Sequence, residues 1–268
     1  MFFAQISDSH VTVPGKPACG VAPTGENLAR CVAFLNALNP RPELVLMTGD
    51  IISDGGLPQA REAARLLAGL DMPLFMVAGN HDERTTLRKA FGPDICPVME
   101  GGFIQYAFQA GDVRFIALDS TEPGRSGGIL CRQRLHWLTE RLAEDRETPT
   151  VIVLHHPPVK FGVLETDRDG FEGVGELADI LRGRGNIIRI LCGHIHLCAT
   201  GVFAGVPVST APSASGMRLH LDLTMKEPSA FHLDDPAFLV HKWTPDAGLI
   251  THLVQARDTE PLYLFDSE

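Results

Sequence analysis

The chain lacks any apolar run long enough to cross a bilayer: nothing in its 268 residues approaches 18 consecutive apolar side chains. Its first residues, Met-Phe-Phe-Ala-Gln-Ile-Ser-Asp, carry neither a basic segment nor an apolar stretch of secretory length. Basic residues never form a run of five, and Lys plus Arg total 23 against 33 acids, for a formal charge of −10. A field of that sign opposes the backbone of a nucleic-acid polymer. The six cysteines, at 19, 31, 96, 131, 192 and 198, contain no CxxC pair. An even count is compatible with three disulfides, but without a secretory leader the expectation is reduced thiols in a cytoplasmic protein. Repeats, low-complexity tracts and hydrophilic linkers are also missing. What is present, 44% hydrophobic residues, excludes disorder and supports a large core.

Short apolar runs alternate with helical spacings, the pattern of an α/β fold. Strands are expected over Met1–Ser7, Leu44–Thr48, Leu74–Ala78, Val151–Leu154 and Ile187–Leu191, and a hairpin over Phe103–Gln109 and Val113–Leu118 around Gly111-Asp112. Helices are expected over Glu26–Leu38, Pro58–Leu70, Arg132–Asp145 and Val174–Arg184. After Thr200 the texture changes to short strand candidates, Val202–Phe203, Val206–Ser209, Leu219–Leu223, Phe238–Trp243 and Leu249–Val254, with little helix signal. The organisation expected is a core over residues 1–200. A β-rich part over 201–268 would complete the second sheet and supply a cap or an oligomer interface, in a homo-oligomer of two or more chains.

The unusual polar residues gather at strand ends. The first strand ends in Asp8-Ser9-His10, the second in Gly49-Asp50 and the third in Gly79-Asn80-His81-Asp82. Later strands end in His155-His156-Pro157 and Gly193-His194-Ile195-His196. Ligands of open α/β sheets bind at that edge. Two residues apart in extended chain, Asp8 and His10 point to one side with Cα atoms about 6–7 Å apart, and His194 and His196 do the same. Asp8, His10, Asp50, Asn80, His155, His194 and His196 are then seven candidate ligands, too many for one tetrahedral ion. They suit two ions that share a carboxylate at a separation of roughly 3.5–4 Å. Each motif alone reads equally well as a cap, a turn or a satisfied loop histidine; their conjunction at successive strand ends points to metal. The glycines beside them imply sharp turns or close backbone approach. A rival quartet, Cys192, His194, His196 and Cys198, spans about 20 Å when extended and cannot close around one ion, so those thiols read as structural.

These motifs, which cover residues 8 to 196, resemble the calcineurin-like metallophosphoesterases, with DxH, GD, GNH[DE], a histidine near a proline, and GHxH in order. The class III cyclic nucleotide phosphodiesterases and bacterial glycerophosphodiesterases are the most similar branch, on the strength also of Leu118-Asp119-Ser120, Leu154–Pro158 and Pro236–His241. The resemblance implies a four-layer αββα sandwich with a dinuclear centre whose two metal ions come from Fe, Mn, Zn or Co. It implies one ion on Asp8, His10, Asp50 and His196, and the other on Asp50, Asn80, His155 and His194. It further implies Asp50 as the bridge, His81 near the leaving group, and His156 outside the ligand set. One departure stands out: where those relatives carry a further substrate-site histidine, this chain offers either Met217 at the matching count or, with the loop shifted by three, His220.

The reaction expected is hydrolysis of a small phosphodiester, a cyclic nucleotide or glycerophosphodiester, by a metal-bound hydroxide, with His81 at the leaving oxygen. The alternatives are a phosphomonoesterase of the same fold, for which Arg84 is out of motif, and a non-catalytic scaffold, which would have lost ligands. No membrane partner is expected. The Pro/Gly-rich segment from Val11 to Gly25 lies beside the site and reads either as a loop that shapes the substrate or as a plain connection.

Overall fold

The computed structural model describes residues 1–224, 226, 228–257, 263 and 265, with the backbone alone at 165. Its first half runs β1 (Phe2–Ile6), α1 (Thr24–Ala37), β2 (Val45–Thr48), α2 (Leu57–Leu67), β3 (Leu74–Val77), α3 (Arg84–Phe91), β4 (Tyr106–Ala110), β5 (Val113–Ala117), β6 (Gly128–Ile129) and α4 (Arg132–Glu144). The second half runs β7 (Thr150–Val153), α5 (Leu164–Asp169), β8 (Phe171–Glu172), α6 (Val174–Leu181), β9 (Ile187–Cys192), β10 (Ala199–Phe203), β11 (Val206–Thr210), β12 (Met217–Leu219), β13 (Phe231–Leu233), β14 (Ala237–Thr244) and β15 (Gly248–Gln255).

Two sheets stack, ordered β15-β14-β1-β2-β3 and β10-β11-β9-β7-β5-β4. Their central strands are buried on both faces, which explains why they read as unbroken apolar runs rather than alternating ones. Phe3, Leu44, Leu46 and Val77 of one sheet meet Phe115, Val151, Val153 and Leu191 of the other in the middle layer. The opposite face of the first sheet, with Ile6, Val45 and Met47, packs on Leu28, Leu35 and Ala63 of α1 and α2. That of the second, with Ile116, Ile152 and Ile190, packs on Leu138, Leu142 and Leu177 of α4 and α6. The result is the four-layer αββα sandwich. β1, β2 and β3 run parallel, as do β5, β7 and β9, so six strand C-termini reach one end of the molecule, and five of them carry the candidate ligands. No described helix is long and apolar enough to cross a membrane.

Position 200 lies inside β10. The chain beyond it enters both sheets: β11 pairs parallel with β9, while β14 and β15 form a long antiparallel hairpin on β1. The end of the expected tail, 258–262, 264 and 266–268, lies outside the described residues.

Several element ends differ from expectation for local reasons. The first hairpin starts at Tyr106 rather than Phe103, because the Ile104 N–H is diverted to the Asp119 carboxylate at 2.9 Å. α3 carries too few apolar residues to announce itself, and the Glu83 side chain caps it by accepting from the N–H groups of Thr85 and Thr86 at 3.0 and 2.7 Å. The ribbon β12–β13 holds residues 217–219, not Leu219–Leu223, since Asp222 folds back to accept from the Thr224 N–H and ends the strand.

One polar cluster crosses the apolar middle layer. Gln5 is fully buried and its amide donates to Thr48 Oγ1 at 3.0 Å and to the Cys192 carbonyl at 2.9 Å. The carbonyl can only accept, so the Gln5 oxygen faces His241 Nε2, at 3.2 Å, and that nitrogen carries the proton. His241 Nδ1 then accepts from Thr251 Oγ1 at 2.9 Å. The cluster ties β1, β2 and β14 to β9 directly beneath the strand ends.

Burial, with Arg189 nearby, pushes the His241 pKa down from 6.5 to about 3. Between those values the unfolded chain binds a proton that the folded chain refuses, so this residue's contribution is full above pH 6.5 and is lost as pH falls. Urea unfolding from pH 7 to 4 is expected to show wild type losing stability relative to His241→Gln by up to roughly 1.4 kcal/mol per pH unit. Parallel stability curves for the two proteins would contradict this.

Candidate metal centre

The strand ends bring the seven sequence candidates together. Asp8, His10, Asp50 and Asn80 follow β1, β2 and β3 of the first sheet, and His155, His194 and His196 follow β7 and β9 of the second. Five of the seven, Asp8, His10, Asp50, His194 and His196, have left-handed backbones with φ between 43° and 75°. Asp and His tolerate that region better than most side chains. Strain concentrated at such positions is a mark of a functional site, and it turns each side chain back toward a common centre.

Two clusters result. In one, His10 Nε2 lies 2.9 Å from His196 Nε2 and 3.7 Å from Asp50 Oδ2, and His196 Nε2 lies 3.6 Å from Asp8 Oδ1. In the other, His155 Nε2 lies 3.1 Å from Asn80 Oδ1, 3.2 Å from His194 Nδ1 and 3.4 Å from Asp50 Oδ2. Asp50 Oδ2 belongs to both. The outward nitrogens fix the tautomers: His196 Nδ1 donates to the Met217 carbonyl and His155 Nδ1 to the Thr48 carbonyl, each at 2.8 Å. With those protons directed outward, the inward Nε2 atoms face carboxylate oxygens across a common space, the arrangement of metal donors. The residues fit metal ions, and the first cluster has the composition of a closed donor set.

His156 comes close in space to His155 and His194, but both its nitrogens are taken. Nε2 faces the Ser126 carbonyl at 2.9 Å and Nδ1 faces Ser120 Oγ at 2.8 Å. Burial, reinforced by the neighbouring His155, lowers its pKa to about 3. Cys192 points into the helix-side core and Cys198 is exposed, so the rival quartet does not assemble. All six cysteines are free thiols.

Burial penalises the Asp50 carboxylate, yet the charge of His155 and its hydrogen bond hold Asp50 well below the usual carboxylate range. Burial likewise opposes a charge on His155, and Asp50 overcomes it, lifting His155 to about 9. Asp8 is raised, chiefly by burial.

Residues that the motif reading left without a role brace the ligand loops. Asp82 accepts from the N–H groups of Gly79 at 2.8 Å, Ile51 at 3.0 Å and Ile52 at 3.0 Å, and so staples the loop after β3 to the loop after β2. Burial, and next the nearby Asp50 charge, push Asp82 up to about 7. Asp50 Oδ1 accepts from the His81 N–H at 2.9 Å, and the Asp8 carboxylate accepts from the His194 N–H at 3.1 Å. Ser213 Oγ donates to the Asp8 carbonyl at 2.7 Å. Arg84 is committed to Asp119 at 2.7 Å and to Thr121, which leaves it no role toward a substrate. The only hint of Asp82 in the sequence is its place in the Gly79–Asp82 motif.

Met217 and His220, the two candidates for the place of the relatives' further histidine, lie apart in the structure. Met217 is buried among Ala18 and Ala22 of the 11–25 segment and supplies only its carbonyl, to His196. His220 is exposed and lies 2.9 Å from His232 on the β12–β13 ribbon, outside both clusters.

The turn glycines are required by contact. A Cβ on Gly79 would overlap the Asp50 backbone nitrogen and Oδ1, and one on Gly193 would overlap Ser7 Oγ and crowd Asp8 Oδ2. Gly193→Ala and Asp82→Ala are therefore expected to strip bound metal although neither removes a ligand. The check is elemental analysis of protein purified with added Mn2+, alongside a near-native circular dichroism spectrum. Full metal content in both variants would contradict the bracing role.

Comparison with known proteins agrees with this geometry. The family model described as calcineurin-like phosphoesterase matches residues 1–198. A probable glycerophosphodiester phosphodiesterase, GpdQ, of Arcobacter nitrofigilis is 31% identical over 269 residues, covering 100% of this chain and 98% of that protein. A 3',5'-cyclic adenosine monophosphate phosphodiesterase, CpdA, of Pseudomonas aeruginosa is 31% identical over 197 residues, 73% of this chain and 70% of that one. Among solved structures, a dimetal phosphatase from Danio rerio shares the fold with a TM-score of 0.63 at 16% identity, over 96% of this chain and 99% of that chain. On its motifs, its fold and these matches, the chain belongs to the calcineurin-like phosphoesterase family.

Proposed function

We propose that the chain hydrolyses small phosphodiesters at a dinuclear centre, with one cation on Asp8, His10, Asp50 and His196 and the other on Asp50, Asn80, His155 and His194. The observation that carries this reading is Asp50 Oδ2, which lies 3.7 Å from His10 Nε2 and 3.4 Å from His155 Nε2, between the two donor groups. When bound, the cations acidify a water for attack on phosphorus and draw charge from the phosphoryl oxygens. They also reconcile an anionic substrate with a net charge of −10, because bound ions dominate the local field.

The protein's own groups then orient and protonate. Asn80 turns its amide oxygen toward the second cluster. His81 donates Nδ1–H to the Ser53 carbonyl at 2.8 Å and packs edge-on against His10, so its Nε2 is the nitrogen available to a leaving oxygen. The names of the similar proteins, a glycerophosphodiesterase and a cyclic nucleotide phosphodiesterase, favour diesters over monoesters. So does the commitment of Arg84 to Asp119, which leaves it no role as a phosphatase-like phosphate clamp.

Metal-loaded protein is expected to hydrolyse bis-p-nitrophenyl phosphate faster than p-nitrophenyl phosphate. Preference for the monoester would overturn the proposal. Asn80→Ala is expected to lose metal and activity together. His81→Ala is expected to keep its metal and lose turnover by about 10²–10³-fold, most for poor leaving groups. If His81→Ala empties the centre, its assigned role is wrong.

A further inference from the structure

A cavity of 340 Å³ opens beside the metal centre and shares His194 with it. That is room for roughly ten water-sized groups. Its inner wall is the Phe171 ring, edge-on to His156 at 6.4 Å between centroids. This wall is fixed. His156 is held by Ser120 and Ser126, and the Phe171 backbone is paired with Gly128 in the β6–β8 bridge. A Cβ on Gly128 would press on both rings.

The mouth carries Lys160 and Arg168, both exposed. Neither has an ion-pair partner among the described residues. The acid in the lining, Asp167, is turned into the backbone, where it accepts from the N–H groups of Phe161 and Gly162 at 3.1 and 2.9 Å. In a chain with ten more acids than bases, these two cations stand together at the rim of a cavity that reaches the metal centre.

We infer that this cavity receives the organic group of the diester beyond His194, and that Lys160 and Arg168 select for a group carrying negative charge over one carrying a cationic head. The inference rests on the phosphodiesterase reading above and adds the class of diester to it. The phosphoryl group is held at the metals, the apolar part of the organic group lies against Phe171, and a carboxylate or second phosphate at its far end meets the two cations. A quaternary ammonium in the same place faces two like charges.

The test uses three p-nitrophenyl diesters with a common leaving group, so that the bond broken is the same: the anionic 2-carboxyethyl, the neutral ethyl and the cationic choline ester. For wild type loaded with Mn2+, KM is expected to be lowest for the carboxyethyl ester. The gap to the choline ester should be at least about fivefold, the size that one or two partly solvated ion pairs give, and it should shrink as salt rises. In the double variant Lys160→Glu/Arg168→Glu the order is expected to reverse, with kcat and the KM of the ethyl ester changed by less than about twofold. Both positions are exposed, so the variant keeps its core. An unchanged KM order in the variant, or a wild-type preference for the choline ester, overturns the charge selection. Failure of metal-loaded wild type to hydrolyse any of the three overturns the phosphodiesterase reading itself, and this inference with it.

Discussion

The carboxylate of Asp50 is the constraint around which the rest is arranged. It is buried at the meeting point of two clusters of electron-pair donors, one oxygen occupied by the His81 N–H and the other aimed at both. A buried carboxylate is costly unless positive charge lies against it. His155 lies against it, and the Asp50 charge lifts the His155 pKa to about 9 against the effect of burial. Divalent cations held by the two donor groups would supply that positive charge.

The fold holds this charge problem in place through its backbone. Strands of two sheets end at one level, and the ligand residues turn back through left-handed conformations that an ordinary loop would relax. Gly79 and Gly193 let neighbouring chains approach to contact, and Asp82 and Asp8 bind the backbones of facing loops. Below, Gln5, Thr48 and His241 lock the two sheets together, and the Thr48 carbonyl in that layer also sets the tautomer of His155. The candidate ligands are thus held by the backbone around them, as a precise metal site requires.

Much of this was legible in the residues. Buried strands announce themselves as apolar runs such as Leu44–Thr48, and ligands at their ends stand out because polar residues are otherwise rare there. The αββα layering and the seven candidate ligands followed from those two patterns together with the resemblance of the motifs. What stayed hidden depends on pairs distant in sequence. Asp82 looks like a turn residue until its three N–H partners are known. Gln5 and His241, 236 residues apart, look like exceptions in their strands until they are seen to satisfy each other. α3 and α5 are short, and their caps and tertiary contacts decide them more than any periodicity.

On the proposed reading, the cavity beside His194 gives the centre a direction, with phosphorus at the ions and the organic group along Phe171 toward Lys160 and Arg168. All of it depends on Asp50 joining two ions, and electron paramagnetic resonance of Mn2+-loaded protein tests that claim most directly. Two Mn2+ per chain with the exchange-coupled spectrum of a bridged pair are expected, and for Asp50→Asn the loss of that coupling. A single ion per chain, or two ions with the spectrum of isolated Mn2+ in the wild type, would contradict it.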